Sequence, residues 1–307
     1  MTWCTTISDL KVAYSKKDPM SAKLQDYLKA ISKDIEAIKP DFTKYDEYDD
    51  AIVAQIEDGK KISTRFIEGV QLTCSYNDEE SLRLIYENFG RLLKLYNIPD
   101  DFKESFHEED FDGNRFLIYE MFVAFIGSLI KYDKWELIGK LLSKDLFVDK
   151  KYHGGYYSFE ELRQHIRSLD DIRKSRLKLN RISITADIIK EHFSQEPVSR
   201  LLNHQEFMEA DFFLYLRSIC HKKKDKYRWS WYPISCVYLD RVPSFLQKSE
   251  SAEFFSRILI ASGIVDKNIW IEVVKAIKEE SLSSFTKMSS LFRTFYSFDP
   301  DRIGTRP

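Results

Sequence analysis

One apolar segment in the middle of the chain limits the folds that this sequence can adopt. Residues 116–130 carry a single charged side chain, Glu120, and apolar side chains fall on every side of the helix that they would form. A membrane span needs about 20 apolar residues, which is longer than this run. Helices that are apolar all round are typical of the centre of a bundle. The segment therefore predicts a buried helix covered by other helices.

The rest of the sequence predicts helices that would cover such a core. Apolar residues recur at three- and four-residue spacing in many segments, for example in residues 79–96, which Asn77 or Asp78 would cap. The sequence has only 10 glycines and 8 prolines, which disfavours a turn-rich β-sheet fold. The predicted fold class is all-α: an irregular multi-helix bundle with at most one short β excursion near residues 146–157.

An acidic, loop-like stretch at residues 100–114 divides the predicted helices into two groups. We therefore expect two packed helical subdomains, an N-terminal one at residues 1–100 and a C-terminal one at 101–298. The last residues, 299–307, are expected to form a flexible tail, because chain ends fray unless other contacts hold them.

Two local patterns predict where helices begin or break. Gly59 falls inside a periodic segment at about residues 46–72 and predicts an interruption there. Ser158 is followed three residues later by Glu161, which is a capping-box pattern. This pattern predicts a helix over residues 159–169.

Composition predicts a cytoplasmic protein without membrane association. The four cysteines are scattered and form no CxxC pair, which is typical of a reducing compartment. The first residues contain no apolar signal segment. The formal net charge of −2 provides no overall field that would hold a polyanion, so a nucleic-acid site would have to be a local patch.

Common catalytic motifs do not occur in this sequence. The histidines and cysteines never fall at zinc-site spacing, and neither a glycine-rich phosphate loop nor a GxSxG nucleophile elbow occurs. We therefore predict no metal site and no cofactor. The same absence favours a binding protein over an enzyme, although it leaves the question of catalysis open.

Two arginine–histidine pairs come close to a known ribonuclease pattern. Helical ribonucleases of the higher-eukaryote-and-prokaryote-nucleotide-binding type use an arginine and a histidine separated by four to six residues. Arg200 and His204, like Arg217 and His221, are separated by three. Residues four apart share one helix face, so Arg217 and His221 are candidate catalytic or phosphate-binding residues. The favoured interpretation is that this pair forms the polar end of a buried helix.

A loop at residues 221–231 interleaves basic and aromatic side chains. Basic side chains bind phosphates and aromatic faces stack on bases. This loop is therefore a better candidate for nucleic-acid binding than the other basic stretch, at residues 163–181. The alternative is a solvated loop that its aromatic residues anchor to the core. The nucleic-acid-binding candidates are Lys222, Lys223, Lys224, Lys226, Arg228, Trp229 and Trp231.

Charged residues also occur within strongly apolar helices of the second half. A buried arginine–aspartate network would fix how the helices dock, because an unpaired buried charge costs several kcal/mol. The expected partners of the arginines are Asp170, Asp171 and Asp187. The alternative is a functional pocket lined by the same charges. The candidates for the network or pocket are Arg163, Arg176, Arg181, Asp187 and Asp211.

Several segments of the second half occur together in a known group of proteins. Between residues 115 and 260, the chain resembles a helical region of uncharacterised prokaryotic proteins, some of which attach it to Toll/interleukin-receptor-like or other effector domains in antiviral defence. The resemblance implies a sensing or assembly role. No strand alternation in these 307 residues predicts an α/β effector domain, so we expect an effector activity to come from a partner chain or from an unrecognised site in the helices. The segments are residues 156–163, 176–181, 186–190, 209–217 and 231–238.

Three functions are compatible with this sequence. The favoured one is a helical binding or assembly subunit of a prokaryotic anti-phage system, acting through a protein partner encoded nearby. The first alternative is an all-α nucleic-acid-binding protein or ribonuclease that uses Arg217, His221 and the 221–231 loop. The second is a small-molecule sensor with a pocket among the arginines and aspartates. The sequence is also compatible with a homo-oligomer. A protein is favoured over nucleic acid as the partner.

Overall fold

Helices account for nearly all regular structure in the computed structural model, which confirms the all-α prediction. The structure describes residues 5–16, 20–97, 106–150, 154–222, 231–283 and 298–306. Its α-helices are α1 (Ile7–Lys16), α2 (Met20–Ala37), α3 (Tyr48–Ser75), α4 (Glu79–Leu92), α5 (Asp112–Lys131), α6 (Trp135–Leu142), α7 (Lys174–Arg176), α8 (Ile184–Ser194), α9 (Val198–Leu201), α10 (His204–Lys222), α11 (Ser244–Lys248), α12 (Ala252–Ser262) and α13 (Lys267–Ser283).

Helix α5 lies at the centre of the core, as its apolar sequence predicts. It is buried along almost its whole length, with α3, α6 and α10 packed around it. The predicted interruption at Gly59 is wrong, because α3 is continuous through this residue. A Cβ atom at Gly59 would overlap the side chain of Leu117. The glycine therefore allows α3 to approach α5 closely instead of breaking α3.

The segment Glu108–Lys131, which contains α5, is long and apolar enough to cross a membrane by length and composition. Its most apolar window has a mean hydropathy of 1.3, and 89% of that window is buried inside the fold. Neighbouring helices therefore cover this apolar surface.

The short β excursion occurs where the sequence predicts it. Strands β1 (Leu146–Val148) and β2 (Gly155–Tyr157) pair antiparallel, with Phe147 opposite Tyr156. Within β1, Leu146 and Val148 are buried and Phe147 points outward, as expected from the alternation of side chains along a strand. The hairpin packs on α4.

The helix predicted at residues 159–169 is wrong. Phe159–Leu162 forms a 3-10 turn, and Ser158 makes no side-chain cap. The hydroxyl of Tyr96 donates to the carbonyl oxygen of Leu162 at 2.7 Å, at the point where the backbone becomes extended at Arg163. A tertiary contact therefore takes a carbonyl that a continuing helix would use. A π-helical turn (Ser168–Arg173) then leads into α7.

The end of the chain packs on the body of the protein, unlike the flexible tail that we predict. Phe298 and Ile303 are buried, and the backbone of Arg306 exchanges hydrogen bonds of 2.8 and 2.9 Å with Ala252 and Glu250. Buried residues from both sides of the predicted subdomain boundary belong to one continuous apolar cluster. The two groups of helices thus share a core.

Candidate functional site

Arg217 and His221 contact the end of another helix. Arg217 is 1% exposed; its Nη1 donates to the carbonyl oxygen of Ala261, and its Nη2 donates to Ser143 Oγ at 3.0 Å. Nε2 of His221 lies 2.9 Å from the carbonyl oxygen of Ser262. These carbonyls end α12, where a helix carries partial negative charge and lacks backbone donors. The contacts agree with the structural interpretation of this pair.

Asp211 is fully buried within a cluster of hydrogen-bond donors. One carboxylate oxygen accepts from Trp231 Nε1 at 2.7 Å. The other accepts from Tyr119 Oη at 2.8 Å and from Ser235 Oγ at 2.7 Å. Burial raises the pKa of the Asp211 carboxyl, and the donors from Ser235, Trp231 and Tyr119 oppose this effect. The cluster joins α5, α10 and the segment after the basic loop.

Most of the basic-aromatic loop lies outside the described residues. Trp231 is buried and bound to Asp211, so it anchors the end of this loop to the core. The side chain of Lys222 is among those that the structure does not describe, and so are the other candidates of the loop, Lys223, Lys224, Lys226, Arg228 and Trp229.

Arg163 is half-buried beside the Asp211 cluster. Its Nε donates to the carbonyl oxygen of Tyr232 at 3.0 Å, and its guanidinium lies 5.1 Å from the centre of the Tyr119 ring. The arginine thus fixes the chain just after Trp231. Its position is consistent with a role in packing.

Arg176 pairs with residues that sequence reasoning missed. Its Nε and Nη2 bind Asp49 at 2.8 and 2.7 Å, and Arg173 binds the same carboxylate at 2.8 Å. Burial of Asp49 acts against its charged form, but the bonds from Arg176 and Arg173 lower the pKa of its carboxyl overall. These ion pairs fasten α3 to the segment before α8. No local pattern connects residues this far apart in the sequence.

Asp170 and Asp171 do not provide the partners that we expect for the arginines. Asp170 instead accepts hydrogen bonds from Ser183 Oγ at 2.9 Å, Ile184 N at 2.7 Å and Thr185 Oγ1 at 2.7 Å. It thereby caps the positive N-terminus of α8. Asp171 binds the exposed His165 at 2.9 Å.

Arg181 and Asp187 do pair, and Asp187 also binds Tyr238, which lines a cleft. Arg181 Nε donates to Asp187 at 2.8 Å, and the Tyr238 hydroxyl donates to the other carboxylate oxygen. The Tyr238 ring in turn has Lys190 Nζ 4.1 Å from its centre and the His204 ring 6.1 Å away, edge-on. Tyr238 therefore connects the predicted ion pair to two further titratable side chains.

Tyr238, Lys190 and His204 line a cavity of about 500 Å³, which we call the α8–α10 cleft. Helix α8 contributes one residue and the first turns of α10 contribute three. The remaining residues follow the 3-10 turn Ile234–Tyr238 or end it. The cleft is lined by Lys190, His204, Gln205, Met208, Tyr238, Asp240 and Arg241.

His204 is the unusual member of this lining. Its Nε2 atom is buried and makes no hydrogen bond within the part of the chain that the structure describes. Burial, and secondarily the nearby Lys190, lowers the pKa of His204 to about 4, so the imidazole is neutral at pH 7. A buried polar atom without a partner costs about 1–3 kcal/mol.

A second histidine, His192, is buried beside Glu120, the one charged residue of the apolar run 116–130 in α5. His192 Nδ1 lies 3.0 Å from one oxygen of Glu120, and Ser63 Oγ donates to the other at 2.5 Å. Thr64 Oγ1 lies 3.4 Å from His192 Nε2 and donates to the Lys60 carbonyl oxygen at 2.8 Å. This network accommodates Glu120 in the core. Sequence reasoning identified the isolated charge but not its partners.

Among the described ranges, no three histidine, cysteine, aspartate or glutamate side chains lie close enough together to hold a metal ion. Comparison with known proteins identifies no matching family, no similar curated protein and no similar solved structure. The function must therefore be argued from the chemistry of the cleft.

Proposed function

We propose that this protein is a helical ligand-binding protein that takes a small anionic ligand in the α8–α10 cleft. The charge of the lining carries the proposal, because two exposed cations, Lys190 and Arg241, lie in one cavity with the neutral His204 at the start of α10. A protein that binds a small ligand without catalysis corresponds to the sensor alternative from the sequence, but the cleft is lined by other residues than the arginines and aspartates predicted for that pocket.

The electrostatics of the cleft support an anion. Lys190 and Arg241 outnumber the one carboxylate of the lining, Asp240. The cleft also includes His204 and Gln205, the first two residues of α10, which spans His204–Lys222. The N-terminus of a helix of this length carries partial positive charge and binds anions.

Thermal unfolding with simple anions tests this function. Phosphate and citrate, each added at constant ionic strength, should raise Tm by a few degrees at saturating concentration, because ligands that bind only the folded state stabilise it. Lys190→Gln should reduce that rise, whereas Lys61→Gln, the same change at an exposed position on α3, should not. Equal responses of the wild type and both variants would contradict the proposal.

A second candidate function is protein binding through the hairpin. Phe147 and Tyr156 are 56% and 75% exposed, and their ring centres lie 5.3 Å apart on a platform fixed by the buried Leu146 and Val148. Rigid aromatic side chains are typical anchors of interfaces. This candidate corresponds to a cytoplasmic assembly subunit, and the resemblance to antiviral-defence modules suggests an effector chain as its partner.

This second candidate needs a defined partner, namely the product of a neighbouring gene. Binding of that purified protein should weaken at least tenfold in a Phe147→Ser/Tyr156→Ser variant. Val265→Ser is the matched control, because Val265 is 95% exposed and lies on a different part of the chain. Unchanged affinity in the hairpin variant would exclude this surface.

The contacts of Arg217 change how the ribonuclease alternative should be tested. Since Arg217 is buried and bonded to Ala261, Arg217→Ala would disturb folding whether or not the residue acts on RNA. A Lys222/Lys223/Lys224→Ala variant tests the basic loop and leaves Arg217 unchanged. Loss of a steeply salt-dependent affinity for RNA or DNA in this variant would support nucleic-acid binding.

A further inference from the structure

The α8–α10 cleft combines three different chemical surfaces. Lys190 and Arg241 are cationic, Asp240 is a carboxylate, and Tyr238 and Met208 present aromatic and thioether surface. The cleft is open to solvent, because Lys190, Asp240 and Arg241 are exposed, and its volume of about 500 Å³ leaves room for a small molecule. The ligand is therefore larger than a single inorganic ion and has more than one kind of functional group.

The cationic surface fits a phosphate group better than a single carboxylate. Two cations and the N-terminal turn of α10 are three separate sources of positive charge or donors, which suit the several oxygen atoms of a phosphate better than the two of a carboxylate. Asp187, the other aspartate near Tyr238, already accepts from Arg181 and Tyr238. Its negative charge is therefore compensated within the protein, and a dianionic phosphate monoester matches the remaining cations.

Asp240 adds a requirement that phosphate alone does not meet. The side chain is exposed and lies in the same lining as the two cations. A carboxylate repels phosphate but accepts hydrogen bonds from hydroxyl groups. Ribose hydroxyls bound to an acidic residue are a common arrangement in nucleotide sites. The ligand should accordingly have hydroxyl groups next to its phosphate.

The third surface suits a flat, uncharged ring. Tyr238, which has Lys190 over one face of its ring, and His204 contribute aromatic surface, and Met208 is a polarisable side chain that adapts its shape to a ligand. Because the His204 imidazole is neutral at pH 7, it adds no charge to this part of the cleft. Protein sites commonly hold bases by stacking on aromatic rings together with hydrogen bonds to the base edge.

We propose that the ligand of the α8–α10 cleft is a nucleoside monophosphate, an inference that rests on the proposed function of the cleft as an anion site. Its phosphate binds Lys190 and Arg241, its ribose hydroxyls bind Asp240, and its base contacts Tyr238 and His204. The protein thereby recognises all three parts of the nucleotide.

Calorimetric titration of the full chain with the four ribonucleoside monophosphates, ribose 5-phosphate, inorganic phosphate and citrate tests this inference. At least one nucleotide should bind ten or more times more tightly than ribose 5-phosphate or phosphate. Asp240→Asn should weaken the nucleotide about tenfold and leave phosphate unchanged. Lys190→Gln should weaken both, and Lys61→Gln should weaken neither.

The results separate the inference from the proposed function. If phosphate or citrate binds in a Lys190-dependent manner and all nucleotides bind no better, the nucleotide inference is wrong and the anion site stands. If none of these compounds binds, both are wrong. A nucleotide affinity that does not respond to Asp240→Asn would also overturn the inference, because the ribose would then lie elsewhere.

Discussion

The neutral His204 predicts a specific loss of stability in acid. The pKa of this imidazole is lowered to about 4 from the usual 6.5 by burial and then by Lys190, whereas Asp240 raises it. Arg241 also lines the same cleft. Between pH 6.5 and 4 the unfolded chain therefore binds a proton that the folded protein does not. The contribution of the neutral His204 to stability is fully present above pH 6.5 and is lost as the pH decreases through this window.

The size of this effect follows from the two pKa values. At pH 4.5, protonation of the unfolded state should remove about 2.5 kcal/mol from the free energy of unfolding, and at pH 7.5 almost nothing. His204→Gln cannot titrate in this range. Between pH 7.5 and 4.5, the wild type should therefore lose about 2.5 kcal/mol more stability than this variant.

Urea unfolding followed by tryptophan fluorescence at the two pH values measures this difference. Acidic groups such as Asp211 titrate in both proteins, so their contributions cancel in the comparison. His165→Gln serves as a control, because His165 is exposed and does not line the cleft. An equal pH dependence in the wild type and in His204→Gln would refute the interpretation of His204 as a buried neutral group.

Three further predictions concern packing and ion pairs. Asp49→Asn should cost about 1–2 kcal/mol in urea unfolding, because Arg173 and Arg176 lose their bonds to this carboxylate but keep those to Asp50. Gly139→Ala should cost about 3 kcal/mol and lower Tm, because the new Cβ would overlap the backbone carbonyl of Ile260 on α12; an unchanged Tm would contradict this contact. Asp211→Asn should alter the near-ultraviolet circular dichroism of Trp231, and an unchanged spectrum would argue against their hydrogen bond.

The parts of the fold that depend on local patterns could be predicted from the sequence. The burial of α5 follows from its apolar composition, and the cap of α4 follows from Asp78, whose side chain accepts from the backbone of Ser81 at 3.1 Å. The hairpin follows from the short strand-like segments at 146–157. In each case the determining residues lie within a few positions of one another.

The parts that depend on distant contacts could not be predicted. The spacing of Arg217 and His221 places them on one helix face, but nothing local shows that α12 ends beside them. The sequence pattern pairs His204 with Arg200, whereas in the structure Arg200 binds Glu196 at 2.7 Å. The cleft is formed by α8, α10 and the segment after Tyr238, so its existence depends on how these elements dock.

The complete covering of α5 also has a consequence for synthesis on the ribosome. Helix α10, which covers one side of α5, begins at His204, more than 70 residues after α5 ends at Lys131. At the usual elongation rates, the ribosome takes on the order of ten seconds to make these residues and α10. During that interval the nascent chain presents an apolar helix that lacks part of its cover. We therefore expect that a chaperone binds α5, or that α5 packs transiently against α3, before the native packing forms.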